Sequence, residues 1–279
     1  MSESVSRLIA DIERLEAFPA VAIHILELSL GDPDPAELAA QVERDIGLTA
    51  KVLRLANSAL CGLAVPAESI AAATHVLGPK RLASLAMTTG AHCFFMGYGE
   101  STPRSNKSLW EESYHTALFA RAIAQRVLRP DEIDLAYTVG LLQNMGHVIL
   151  DRFLVSKMDE ILVLRDEGVD PLMAERHVLG MDHARCAQLL GRKWGLPPSL
   201  QSGILYHHAP AAAESLRRLC EVVNVAEFLT FERIAERTTS LTLPASPDAA
   251  QLLLRIANDV ELLVDEVRQI AEESAFCWA

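Results

Sequence analysis

The chain has 279 residues, of which 50% are hydrophobic and 22% charged, with a formal net charge of −12 at pH 7. That length and apolar content suffice for the core of one or two globular domains, while the negative balance argues against a nucleic-acid surface, which neutralises phosphates with Lys and Arg. Five cysteines (Cys61, Cys93, Cys186, Cys220, Cys277) are widely spaced, odd in number and without a CxxC pair, which fits reduced thiols in a cytoplasm and excludes a disulfide frame or a structural zinc site.

From the N-terminus, MSESVSRLIADIERLEAF alternates charge with apolar residues and lacks both the basic start and the continuous apolar core of a signal peptide. Apolar residues then recur at spacings of three and four, and alternating β-branched runs are scarce, so an all-helical chain of roughly a dozen helices is predicted. Phe18-Pro19-Ala20 leads into the first of them. Asp34-Pro35 opens AELAAQVERD, Asp45 is placed to cap the next helix, and Asn57-Ser58 forms a polar pair near its end. Ser69 precedes IAAATHVL and Gly78-Pro79 precedes KRLASLAM. His24 and His75 fall on mostly apolar helices, where a lone histidine is expected to be a satisfied core residue. The stretch Ala83–Gly99 is the least polar, but it carries His92, two threonines and three glycines, which predicts a packed helix and no bilayer span.

Gly97–Asn106, GYGESTPRSN, is rich in Gly, Ser and Pro. It sets the expected division: an N-terminal bundle over residues 1–98, a linker over 99–106 and a second helical domain over 107–279. In the second block Arg121, Arg126 and Arg129 share helical spacing and are expected to form a solvated face. Residues Gly140–Leu150 then read GLLQNMGHVIL, with the adjacent amides Gln143 and Asn144 inside an otherwise apolar helical run. A buried amide without partners costs roughly 1–3 kcal/mol, so the pair calls for a local reason. His147, one turn beyond Gln143, is read as a helix-end residue. Pro197-Pro198 opens SLQSGILYHH, and SLTLPASPD at Ser240–Asp248 sets off a final pair of helices, whose Phe276 and Trp278 are expected to pack the tail. Helix stops are expected at Gly31, Gly62, Gly168, Gly180 and Gly195.

The chain contains no GxSxG elbow, P-loop, GxGxxG or HExxH, and Cys93 beside His92 points to a different face of its helix. Its most distinctive piece is RDIGLTAKVLRLANSA, preceded by FPA and a D-P-D turn and followed by SIAAATHVLGPKRLASLAM. In that order these segments strongly resemble the HDOD domain family of bacterial regulatory proteins, from near Leu15 to about residue 230. The resemblance implies an N-terminal helical bundle and a C-terminal relative of the HD phosphohydrolase superfamily. Active members of that superfamily carry an adjacent His-Asp pair, flanking histidines and a final aspartate, which hold divalent metals that activate water.

Carried over by position, the resemblance puts Gln143 at the histidine of the pair and Asn144 at its aspartate. His115 matches the early histidine, His183 a later one, His207 and His208 the following pair, and Glu227 falls near the final aspartate. Amides replace the imidazole and the bridging carboxylate, so the site implied is degenerate. No cofactor and no metal are expected; residual metal candidates are His115, His183, His207, His208 and Glu227, whose expected role is a hydrogen-bonded network around a neutral pocket that could hold a small ligand. The function expected is a non-catalytic adaptor in bacterial signal transduction. Without an appended receiver, kinase or GGDEF-like segment, it would meet signalling proteins in trans, bind no nucleic acid and insert in no membrane. Two alternatives stand beside it: a metal-dependent phosphohydrolase with altered ligands, and a non-hydrolytic nucleotide or cyclic-dinucleotide sensor.

Overall fold

The structure, a computed structural model, describes residues 8–10, 12–13, 18–31, 33–97, 106–153, 157–234 and 247–278. Helices and turns account for the described residues, with no strand among them, as the all-helical reading expects. The chain divides into two compact units: Ala17–Phe94 with Asp259–Ala279, and Met1–Glu16 with Phe95–Asn258. Two features of this division differ from the sequence expectation. Residues 259–279 belong with the N-terminal helices, and the boundary falls inside a helix, at Phe94 and Phe95. Most of the expected linker, 98–105, and much of the loop at 240–248 lie outside the described residues.

The unit built on Ala17–Phe94 contains α1 (Ala20–Ser29), α2 (Pro35–Glu43), α3 (Ile46–Ala56), α4 (Ile70–Leu77), most of α5 (Pro79–Gly97) and the returning α15 (Val260–Ser274). Local chemistry starts these helices where the sequence places them. Asp34 accepts a hydrogen bond from the Ala36 N–H, Asp45 from that of Leu48, and Ser69 from that of Ala72, each satisfying a donor that the first helical turn leaves open. The stretch RDIGLTAKVLRLANSA is α3 with both of its ends. Asp45 starts it; Asn57, its C-cap, clamps the following loop by donating to the Ala67 carbonyl at 2.9 Å and accepting from the Ala67 N–H at 2.7 Å. An amide is the side chain that can donate and accept at once, which is why asparagine serves here.

Phe18 of the FPA segment is buried in this unit, and its ring edge lies where a Cβ on Gly90 would sit, 2.6 Å away. Any larger residue at 90 would collide with it. Around them Ile25, Leu38, Val52, Leu55, Ile70 and Leu82 form the core. His24 and His75 were expected inside this core but are exposed, because Ala22, Ile25 and Leu26 in α1, and Ile70, Ala73 and Thr74 in α4, are the positions that face inward. His24 lies 3.9 Å from the Glu27 carboxylate. Trp278 is half-buried and stacks on His92 with ring centroids 4.9 Å apart, so it packs as expected. The side chain of Phe276 lies outside the described residues.

The second unit contains α6 (Asn106–Val127), α7 (Ile133–Leu142), α8 (Met145–Phe153), α9 (Met158–Asp166), α10 (Pro171–Leu179), α11 (His183–Lys193), α12 (Pro198–Tyr206), α13 (Arg217–Arg233) and α14 (Pro247–Arg255). Helices α6, α7 and α13 pack on one another as its centre. They bury Trp110, Phe119, Tyr137, Leu141, Val222 and Val225, and the Thr116 and Thr230 hydroxyls bond at 3.1 Å between α6 and α13. Helix α11 packs on α8 and α12, and α9 pairs with α10. Lys193 donates to the carbonyls of Ile12 and Glu13, tying the start of the chain to this unit. No helix among the described residues is long and apolar enough to cross a membrane.

Candidate metal and ligand centre

Gln143 and Asn144 occupy the turn between α7 and α8, not the interior of one helix. Both are buried, with 0% and 2% exposure. The turn stays joined to its helices through the backbone: the Gln143 N–H donates to the Val139 carbonyl, and the His147 N–H to that of Asn144. Neither the side-chain oxygen nor the nitrogen of Gln143 has a protein hydrogen-bond partner. An amide so placed carries the desolvation cost raised by the sequence without local relief.

The histidines that follow come together from three helix ends. His183 is the first residue of α11, whose N-cap Asp182 accepts from the Arg185 N–H and pairs with Arg176 at 2.6 Å. His207 and His208 close α12, and Glu227 lies on α13. His183 Nε2 is 3.1 Å from His208 Nε2 and 3.4 Å from His207 Nε2, and His208 Nε2 is 3.5 Å from Glu227 Oε2. Two of the rings are held from behind. His183 Nδ1–H donates to Glu175 Oε2 at 2.9 Å, the same oxygen that accepts the His183 backbone N–H at 2.8 Å, while His207 Nδ1–H donates to the Ile204 carbonyl at 2.6 Å. His147 joins from α8, stacked on His183 with centroids 4.0 Å apart and 3.8 Å from the Glu175 carboxylate.

Burial and charge set the protonation of this group. Burial disfavours the imidazolium of His183, but the carboxylates of Glu175, Glu227 and Asp182 outweigh it and raise its pKa. Burial, reinforced by the charge of His183, pushes His207 down to about 3, against the pull of the Ile204 carbonyl. His208 is likewise held well below its ordinary value by burial and then by His207, His183 and Arg176. Carboxylates thus stabilise a proton on His183, while His207 and His208 remain neutral. The buried thiols are inert: desolvation lifts Cys186 well above its ordinary range and Cys220 to about 12.

The HD superfamily implies divalent metals at such a site, and the imidazoles and carboxylate gathered here have donor atoms suited to a transition-metal ion. Two groups among the described residues bring ligand atoms within 4.8 Å of one another: His183, His207 and His208, and His147, Glu175 and His183. Of the positions carried over from the sequence, His183, His207, His208 and Glu227 meet. His115 belongs to neither group; its ring donates from Nδ1 to the Glu111 carbonyl in its own helix at 2.7 Å. Glu175 was not anticipated, and His147, read as a helix-end residue, is a buried neighbour of His183. The one sequence signal for His147 was its place on the apolar face of MGHVIL; Glu175, inside AERHVLG, carries none. A surface cavity of about 310 Å³ lies elsewhere, against α13 and α14, lined by Arg217, Arg218, Glu221, Asp248 and Arg255 among others.

Comparison with known proteins places these features. An uncharacterised protein of Treponema pallidum (strain Nichols) is 27% identical over 269 residues, covering 86% of this chain and 51% of that protein; the chain therefore spans about half the length of this relative. Two solved structures share the fold. A provisionally named phosphohydrolase of Shewanella amazonensis SB2B superposes with a TM-score of 0.73 at 21% identity, over 98% of each chain. A provisionally named signal transduction protein of Marinobacter aquaeolei VT8 gives 0.75 at 22%, over 99% of this chain and 65% of that one. The HDOD domain model matches residues 15–210, a span that includes the α3 clamp, the amide turn and His183, His207 and His208, and the chain belongs to the HDOD domain family.

Proposed function

We propose that this HDOD protein is a non-catalytic regulatory module that binds partner proteins in bacterial signal transduction. One observation carries the reading: at the turn where a catalytic relative would hold its His-Asp pair, Gln143 and Asn144 are buried and neutral. Without a carboxylate there, two metals cannot be bridged and a water cannot be activated between them. Burial points the same way, because His183 and His207 are 4% and 0% exposed, which leaves little approach for a phosphodiester. The printed name of the Marinobacter relative agrees with a signalling role. Partners are taken to be signalling proteins and no nucleic acid, in keeping with the charge of −12.

A metal-dependent phosphohydrolase with altered ligands is the second reading, favoured by the convergence of His183, His207 and His208 and by the name of the Shewanella relative. Hydrolysis of bis(p-nitrophenyl) phosphate and of cyclic dinucleotides, measured with added Mn²⁺, Fe²⁺ or Zn²⁺, separates the two. The expected result is no turnover above the metal blank. Turnover that His183→Ala abolishes would overturn the non-catalytic reading.

A further inference from the structure

We infer that the cavity against α13 and α14 is a binding site for a small phosphate monoester, gripped by the guanidinium groups of Arg218 and Arg255 beside that of Arg217. None of the residues lining it belongs to the histidine group or to the amide turn, so the inference stands apart from the non-catalytic reading.

The case begins with charge. In a chain of net charge −12, three arginines line one cavity of about 310 Å³. Arg217 ties the two helices together: its Nη2 lies 2.9 Å from Asp248 Oδ2 on α14, and its Nε 3.5 Å from Glu221 Oε1, one turn further along α13. Both carboxylates of the cavity are thereby engaged by one guanidinium. Among the described residues, neither Arg218 nor Arg255 stands within ion-pair distance of a carboxylate. Arg218 donates from Nε to the Val127 carbonyl at 3.4 Å, which leaves its two terminal nitrogens for a ligand. Burial and the charge of Asp248 raise the Glu221 pKa against the pull of Arg217, Arg218 and Arg255, so all three guanidiniums stand near a carboxylate whose own negative charge is weakened.

Helix stability accounts for only one of these arginines. Arg255 ends α14, where the helix dipole favours a cation. Arg217 and Arg218 instead open α13, where the dipole favours an anion, and that first turn has neither an acidic residue nor a side-chain cap from Leu216. An anion in the cavity satisfies the helix start and the two unengaged guanidiniums together. A phosphate monoester suits them better than a carboxylate does. It carries a charge of about −1.5 to −2 at pH 7 and presents three acceptor oxygens, enough for guanidiniums on two helices, whereas the two oxygens of a carboxylate fill one fork. The volume lies at the lower end for ligand sites and admits a phosphate with a small organic group, to which buried Leu252 offers an apolar contact.

The test uses the full chain with glycerol 2-phosphate as the probe, acetate as the singly charged control and a phosphoserine peptide as the macromolecular alternative. Calorimetric titration at low ionic strength is paired with melting temperature. The site predicts saturable uptake of one glycerol 2-phosphate per chain, a rise in melting temperature with the ligand and weaker binding of acetate. Arg218→Gln and Arg255→Gln each lower the affinity about tenfold or more, while Arg192→Gln, which removes an exposed guanidinium outside the cavity, leaves it unchanged. Arg218 and Arg255 are themselves exposed, so the unliganded melting temperature of each variant should match that of the parent and shows that it is folded. Absence of saturable glycerol 2-phosphate binding, equal affinity for acetate, or undiminished affinity in either cavity variant would overturn the site. Binding of the phosphoserine peptide alone would overturn its assignment to a small ligand.

Discussion

Replacing Gly146 with alanine sets two known effects against each other. Gly146 is the second residue of α8, and alanine is favoured over glycine by about 0.5–1 kcal/mol in a helix interior, an upper bound for this first-turn position. Propensity alone therefore predicts a stabilised variant. Packing predicts the reverse: a Cβ at 146 would stand 2.0 Å from the His183 carbonyl oxygen, 2.8 Å from its carbon and 3.0 Å from the Ala187 nitrogen, all backbone atoms of α11 or its first residue. No side chain can rotate away. Restoring an ordinary contact needs α8 and α11 to part by roughly 1.5 Å, at the point where His183 enters the histidine cluster. Overpacking that demands backbone shifts costs about 1–3 kcal/mol and occasionally more, and the His183 bonds to Glu175 are strained with it. A net loss of at least about 2 kcal/mol is expected. Urea unfolding, followed by fluorescence in a Trp278→Phe background, reads the unit that holds Trp110 and Trp194, both buried there. A midpoint equal to or above that of the parent would refute the close-approach argument.

Asn57→Ala removes both bonds to Ala67 and leaves a part-buried N–H and carbonyl without that partner, an expected loss of about 2–3 kcal/mol in thermal or chemical unfolding reported by Trp278; a loss below about 0.5 kcal/mol would show that the clamp is incidental. Asn57→Asp, which keeps only the acceptor, is expected to fall between the two. His92 is held at about 4, below its ordinary 6.5, first by burial and then by the charge of Lys51. The unfolded chain consequently binds this proton at a higher pH than the folded one does. Stability contributed by neutral His92 is complete above about pH 6.5, falls as the pH drops toward 4 and levels off below it. With allowance for partial solvent exposure, the swing is about 1–2 kcal/mol. His92→Gln should flatten that segment of the stability profile, and a profile unchanged by the substitution would contradict the assignment.

Helix starts were legible in the sequence because they depend on neighbours two or three residues away. Asp34, Asp45 and Ser69 cap as their positions suggest, and the proline-led helices begin where the ring's fixed φ favours a first turn. The family resemblance was legible for a related reason: the stretch from Asp45 to Asn57 holds a helix with both of its ends, and its bonds to Leu48 and Ala67 span no more than ten residues. Of the positions carried over by resemblance, His183 lies 3.4 Å from His207 and 3.1 Å from His208, and Glu227 lies 3.5 Å from His208.

What tertiary structure alone decided was which distant residues meet. The sequence by itself determined that α1 and α4 are helices, but which of their faces turns inward was set by the helices packed against them, and that put His24 and His75 outside the core. Nothing local marks Gly146, and only the approach of α11 gives that glycine its physical reason. Glu175 and His147 joined the histidines, and His115 did not, because α8, α10 and α11 converge through contacts between chain segments dozens of residues apart. Residues 259–279 went to the N-terminal unit on the same grounds. Local bonds specify the ends of elements, whereas the assembly of a site depends on how whole helix faces fit, and neither spacing nor composition records that fit.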